Sequence, residues 1–183
     1  VALAEAGVVA LQFGVSTYYV GAAHPNHASW TLAWDLDAAA PIELADVFAD
    51  GVDGIGWISE RAIAALRHEL ADDADGAWIA DGAGPDPANF ESWAPTPEGI
   101  SITFDPYQVT AYAMGPQWVE IPWAEIAPVL NPAGPLAAGT GVAGSTAWTG
   151  ACPGRVAAAP SELPVGVVTA SSNALVCREL ALS

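Results

Sequence analysis

Residues 7–37 read GVVALQFGVSTYYVGAAHPNHASWTLAWDLD, and the fold class turns on how this run is parsed. From Leu11 the side chains alternate. Leu11, Phe13, Val15, Thr17 and Tyr19 fall on one side, and Ala10, Gln12, Gly14 and Ser16 on the other. A period of two is the signature of a strand. The alternation resumes in SWTLAWDLD, where Trp30, Leu32, Trp34 and Leu36 share a side. Between the two lies AHPNHA, whose proline and asparagine suit a connection. The run therefore predicts an antiparallel pair, with the bulky side of each strand, Trp30 and Trp34 included, turned into a core.

Downstream, APIELADVFADGV predicts a loop with a short helical turn. The stretch of about 55–73 is the best helix in the chain. Ile58, Ala62, Ile63, Leu66 and Leu70 recur at helical spacing, while Glu60, Arg61, Arg67, His68 and Glu69 fall mainly on the other side. A single apolar stripe needs a sheet to cover it. Residues 74–89 are loop-like in composition. FESWAPTPEGISITF predicts strand, turn, strand. Pro122 ends a further strand or places it at an edge, and WAEIAPVL predicts a short closing helix. From residue 131 the chain becomes rich in Gly, Pro and Ala. The expected organisation is thus a domain over 1–130 and a linker-like extension with short strands over 131–183.

Charge narrows the function. Asp and Glu number 21 against four cations, all arginine, for a formal net charge of −17. Nearly all of the excess lies in residues 1–130. Such a surface repels phosphate backbones and anionic lipid, so neither nucleic-acid binding nor membrane insertion is expected. It attracts cationic partners and speeds their encounter, or it serves solubility alone. No apolar run approaches the ~18–20 residues of a membrane span. The chain opens directly on a strand-like run, as a mature fragment would, which leaves a removed signal, anchor or preceding domain open. Cys152 and Cys177 both lie in the extension. A disulfide between them would close a loop of about 25 residues, contribute roughly 3 kcal/mol and imply an oxidising compartment. The alternative is two unpaired small apolar side chains.

Motifs for catalysis are sparse. His24 and His27 lie three apart, but a metal centre needs three or four converging ligands, and only His68 remains. No metal or other cofactor is expected. GTGVAG at 139–144 matches a dinucleotide fingerprint in letters only, since no buried strand precedes it and no helix opens on it. There is no nucleophile elbow. Paired carboxylates are too common among 21 acids to single out a glycosidase pair. The eight tryptophans are more telling. Exposed aromatic rings bind sugars and anchor protein partners, and Trp78, Trp93 and Trp118 lie near loops.

Two segments resemble one bacterial extracytoplasmic family, the RsiV-like domain of unknown function, over residues 7–130. STYYVGAAHPNHASWTLAWDLDAAAPIELADVF is similar to its strand, Gly-Gly-Ala-His-Pro, strand and Leu-x-Asp-Leu-Phe run, with Ala22 at the second glycine. GISITFDPYQVTAYAMGPQWVEIPWAEIAPVL is similar to its second signature, with Thr110 and Ala111 in place of Ala-Pro and Trp123 in place of a tyrosine. His24, Pro25, Tyr107, Tyr112 and Gly115 fall on these motifs, and the resemblance implies a structural role for them, with His24 fixing the turn. It implies an α+β fold, an antiparallel sheet packed by one main helix, and a secreted or surface-anchored location. The family occurs in ectodomains of lysozyme-sensing anti-sigma factors, beside polysaccharide-deacetylase domains and in secreted antigens. The first expectation is therefore a non-enzymatic binding or sensing domain for a cationic, lysozyme-like protein. Asp72, Asp73, Asp75, Asp81 and Asp86, clustered after the main helix, would be its electrostatic contributors. The second is a cell-wall glycan module using the exposed tryptophans. A hydrolase, with a carboxylate converging on His24, is the third.

Overall fold

The computed structural model of the chain describes residues 3–5, 7–71 and 74–137. Asp72, Asp73, Cys152, Cys177 and the proposed disulfide lie outside the described residues. The architecture is α+β, with two antiparallel sheets rather than the single sheet expected. The first has the order β1 (Leu3–Glu5), β2 (Val8–Thr17), β3 (Asn26–Asp35) and β4 (Ala40–Pro41). The second is a meander of β5 (Trp93–Pro95), β6 (Gly99–Phe104) and β7 (Gln117–Pro122). Pro122 closes β7, which is an edge strand, where a missing N–H costs nothing.

Helix α1 (Gly54–Leu70) starts where Asp53 accepts a hydrogen bond from the Gly56 N–H, an orphan donor of the first turn. Its apolar stripe is buried at Ile58, Ala62, Leu66 and Leu70, as periodicity requires. The same core holds Ile100, Ile102 and Phe104 of β6 with Val119 and Ile121 of β7, where Ile100 and Ile102 sit opposite Ile121 and Val119. A short closing helix, α3 (Trp123–Ile126), buries Trp123 and Ile126, and the indole of Trp123 donates to the Thr96 carbonyl at 2.9 Å. The turn expected in IELADVF is a 3-10 turn at Leu44–Val47.

Two regions differ from the sequence reading. Residues 74–89 are not a bare loop. Asp75 caps α2 (Gly76–Gly82) and Asp86 caps a 3-10 turn at Pro87–Phe90. The short α2 is held by burial of Ile79 and by the close approach of Gly82 to the Gln108 carbonyl, both tertiary effects that composition does not reveal.

The second difference is the sidedness of the first sheet. The β2–β3 ladder runs for ten pairs, from Val8↔Asp35 to Thr17↔Asn26. Its inward side is the small and polar one. Ala10 and Ala33 are opposite each other and buried. Gln12 donates to Thr103 and the Thr31 hydroxyl to the Glu91 carbonyl, while Ser92 donates to the Ser29 carbonyl. Phe13 and Trp30, expected in the core, are 49% and 55% exposed, and Leu32 and Leu36 are exposed as well. Trp34 is only partly buried. The side with hydrogen-bonding groups turns in because the facing segment, 91–105, presents hydroxyls and a carboxylate that need partners. The fold also runs past residue 130. The Asn131 side chain donates to the Asp46 carbonyl at 3.3 Å and Leu136 is buried.

A Cβ at position 82 would stand 1.8 Å from the Gln108 carbonyl oxygen, a backbone atom that cannot swing aside. Gly82→Ala should lower stability by about 2–3 kcal/mol, read as a fall in the urea midpoint at unchanged slope.

Candidate functional site

The β2–β3 connection and the segment after β6 meet at one end of the molecule. In the first, Ala22 N–H donates to the Tyr19 carbonyl, the Tyr18 hydroxyl to the Ala22 carbonyl, and Gly21 takes a left-handed φ of 90°. His24 Nδ1 lies 3.0 Å from the Pro25 carbonyl. The Tyr112 hydroxyl donates to that same carbonyl at 2.6 Å, bridging 87 positions of sequence. The imidazole of His24 stacks on the Tyr112 ring at 3.9 Å between centroids and 26° between planes. Tyr107 completes the group, 5.4 Å from Tyr112 and 6.3 Å from His24, and His27 lies 6.0 Å from Tyr112.

Tyr107 owes its place to a tight turn. Residues 105–108 close with a 2.9 Å hydrogen bond from the Gln108 N–H to the Asp105 carbonyl. Pro106 takes the second position and Tyr107 the third, at a φ of 74°. That is type II geometry, where the third position favours glycine. A tyrosine there is strained at roughly 1–2 kcal/mol, and strain held in place by surrounding structure is typical of functional sites. The holding groups are identifiable. The Gln108 amide donates to the Gly82 and Asn89 carbonyls at 3.0 and 2.9 Å and accepts from the Asp105 N–H at 3.1 Å. The Asp105 carboxylate accepts from the Ser29 N–H of β3 at 3.1 Å. The Trp78 indole, on α2, donates to the Tyr107 carbonyl at 2.9 Å. The ring of Tyr107 is left 55% exposed.

The residues singled out in the sequence are thus partly gathered and partly scattered. His24, Pro25, Tyr107, Tyr112 and Trp78 converge. Gly115 ends the 3-10 turn Tyr112–Met114 at a φ of 71°. Trp93 is not a surface residue, being 6% exposed in β5, where the apolar core of the second sheet covers it. Trp118 is 63% exposed but stands apart on β7, beside a groove of about 590 Å³ shared with Leu66, His68 and Met114. Asp75 and Asp86 are helix caps, accepting from the Ala77 and Ala88 N–H groups at 2.7 and 3.0 Å. Asp81 is exposed and lines, with Asp86 and Asn89, a shallow depression of about 550 Å³. Sequence reasoning missed the aromatic character of the convergence, because Tyr107 and Tyr112 entered it only as motif positions. The tyrosines at 18, 19, 107 and 112 were the available signal.

Comparison with known proteins finds a partial family match. Residues 45–124 match the family described as a protein of unknown function, DUF3298, a match consistent with an RsiV-like domain. Over 103 residues it is 30% identical to the peptidoglycan-N-acetylmuramic acid deacetylase PdaC of Bacillus subtilis, a match covering 56% of this chain and 22% of PdaC. The chain therefore spans about a fifth of that relative's length. A crystal structure of a DUF3298 family member from Bacteroides fragilis shares the fold with a TM-score of 0.52 at 24% identity, over 69% of this chain and 50% of that one. A DUF3298 family protein from Pseudomonas aeruginosa gives a TM-score of 0.49 at 17% identity, over 69% and 56% of the respective chains.

Relieving the turn separates its cost from its use. Tyr107→Gly should raise stability by about 1 kcal/mol, seen as a higher unfolding midpoint, while removing the exposed ring.

Proposed function

We propose that the DUF3298 domain of this chain is a non-enzymatic, extracytoplasmic binding module for cell-wall glycan, and that the aromatic cluster of His24, Tyr107, Tyr112 and Trp78 is its binding face. The observation that carries this reading is a partly exposed group of rings, His24 stacked on Tyr112 and Tyr107 tilted beside them and held out to solvent by a strained turn. Pyranose rings present apolar C–H faces that pack on aromatic rings, while phenol and indole groups at the rim supply hydrogen bonds. No nucleophile and base are brought within hydrogen-bonding reach of each other in this cluster, which favours binding over catalysis. The kinship to a peptidoglycan deacetylase, of which the chain matches only a part, adds support for a wall glycan as ligand and for an extracytoplasmic location.

A cationic protein, lysozyme-like in charge, is the second reading, and the net charge of −17 favours it. Asp75 caps α2 and Asp81 lies on it, each three residues from Trp78, so both partners would approach the same end of the molecule. The two readings differ in salt dependence, because screening weakens charge attraction and leaves ring stacking nearly untouched.

Calorimetry with neutral N-acetylglucosamine oligomers and with soluble peptidoglycan fragments, at low and moderate salt, decides between them. On the glycan reading binding persists in salt, and Tyr107→Ala weakens it about ten-fold, or 1.4 kcal/mol. No binding to either glycan, together with salt-sensitive binding to lysozyme that survives Tyr107→Ala, would reject the glycan reading in favour of charge.

A further inference from the structure

We infer that the outward face of the β2–β3 ribbon is a core face, covered by the chain's own residues 163–177. In an antiparallel sheet with one face in water, that face carries the polar residues. Here the order is inverted. Leu11, Phe13 and Val15 stand opposite Leu32, Trp30 and Ala28, and Trp34 continues the same side, with no charged group among them. Phe13 and Trp30 are each about half exposed and directly paired. Large contiguous apolar patches mark surfaces that something covers. Aliphatic side chains alternate with the rings, and none of these side chains except the indoles offers a hydrogen bond. That composition matches the inside of a protein better than a sugar-binding face.

Three observations choose the occupant. The first is charge. A second copy would bring another body of net charge −17 against the first, with Asp35 and Asp37 at the rim of the contact. Residues 138–183 contain two acids, Glu162 and Glu179, and two arginines, Arg155 and Arg178, and are neutral. The second is position. Gly134 packs against the Asp46 carbonyl, and Asp46 lies within five residues of Pro41, the partner of Trp34 in the ladder. The chain therefore leaves the described fold within about 25 Å of the Trp34 end of the face, and residues 138–183 are long enough to reach well beyond the ~33 Å length of the ribbon. Such a tether raises the effective concentration into the millimolar range. The third is sequence. LPVGVVTASSNALVC, residues 163–177, supplies Val165, Val167, Val168, Leu175 and Val176, apolar and mostly β-branched. Among the described residues, the outer edge of β2 is open to it beyond Ala10, because β1 pairs with Val8–Ala10.

The test uses the full 183-residue chain. Sedimentation fixes its association state, and hydrogen–deuterium exchange reads residues 163–177. A Val167→Asp/Val168→Asp double variant places a charge on the ribbon whichever side of the segment faces it. We expect a monomer whose 163–177 amides exchange about ten-fold or more slowly than an unstructured chain, protection lost in the double variant and in Leu32→Ser, and a several-fold rise in dye binding to exposed apolar surface in the double variant. A dimer that Trp30→Ser dissociates overturns the inference and gives the face to a second copy. A monomer in which 163–177 exchanges at unstructured rates also overturns it, leaving the face for a separate polypeptide. Neither result touches the glycan reading, which rests on other residues.

Discussion

The Asp105 carboxylate and the Ser29 amide set the geometry on which the rest of the described structure depends. Their hydrogen bond pins the middle of β3 to the first residue after β6. Around it, Gln12, Thr31 and Ser92 complete a polar seam between the two sheets. Three of these four bonds are part-buried, and polar groups shielded from water need partners, so the seam favours one register and one sidedness. An apolar contact would tolerate sliding; directional hydrogen bonds resist it, although the second Asp105 oxygen, Oδ1, is buried without a partner among the described residues.

The aromatic cluster is a consequence of that seam. Once β3 is fixed beside Asp105, the 18–25 connection lies over residues 107–112, and Tyr112 reaches the Pro25 carbonyl. Gln108 performs the matching task on the other side, tying the same turn to α2 and to Asn89. The turn is therefore held from both sides, which is what lets a tyrosine persist where glycine is preferred. The local backbone strain and the exposure of the Tyr107 ring have one cause: the surrounding hydrogen bonds outweigh the cost of the turn.

The seam also accounts for the inverted ribbon. Given two faces of unequal character, hydrophobicity alone would bury Phe13, Trp30 and Leu32 against the helix-packed core. The facing 91–105 segment is rich in groups that must be satisfied, and it takes the face that can satisfy them. The bulky face is then displaced outward, and the molecule presents two apolar surfaces, one packed around β6 and α1 and one on the far side of β2–β3.

Much of the fold was legible in the sequence. The two ten-residue strands, the main helix, the 93–104 hairpin, the end of β7 at Pro122 and the closing helix arise from period, turn residues and proline chemistry, which act over a few positions. The motif residues His24, Pro25, Tyr107 and Tyr112 were also visible as candidates, but not their grouping. The tertiary structure decided how segments distant in sequence meet. A period of two defines two faces and says nothing of which one turns inward. Trp93 and Trp78 look alike in sequence, yet one fills the core and the other braces a turn, since burial depends on what arrives from elsewhere in the chain. The short α2 exists because Ile79 is buried and Gly82 meets Gln108, 26 positions away. Local physics wrote the elements; apolar burial and the pairing of polar groups across long stretches of sequence arranged them.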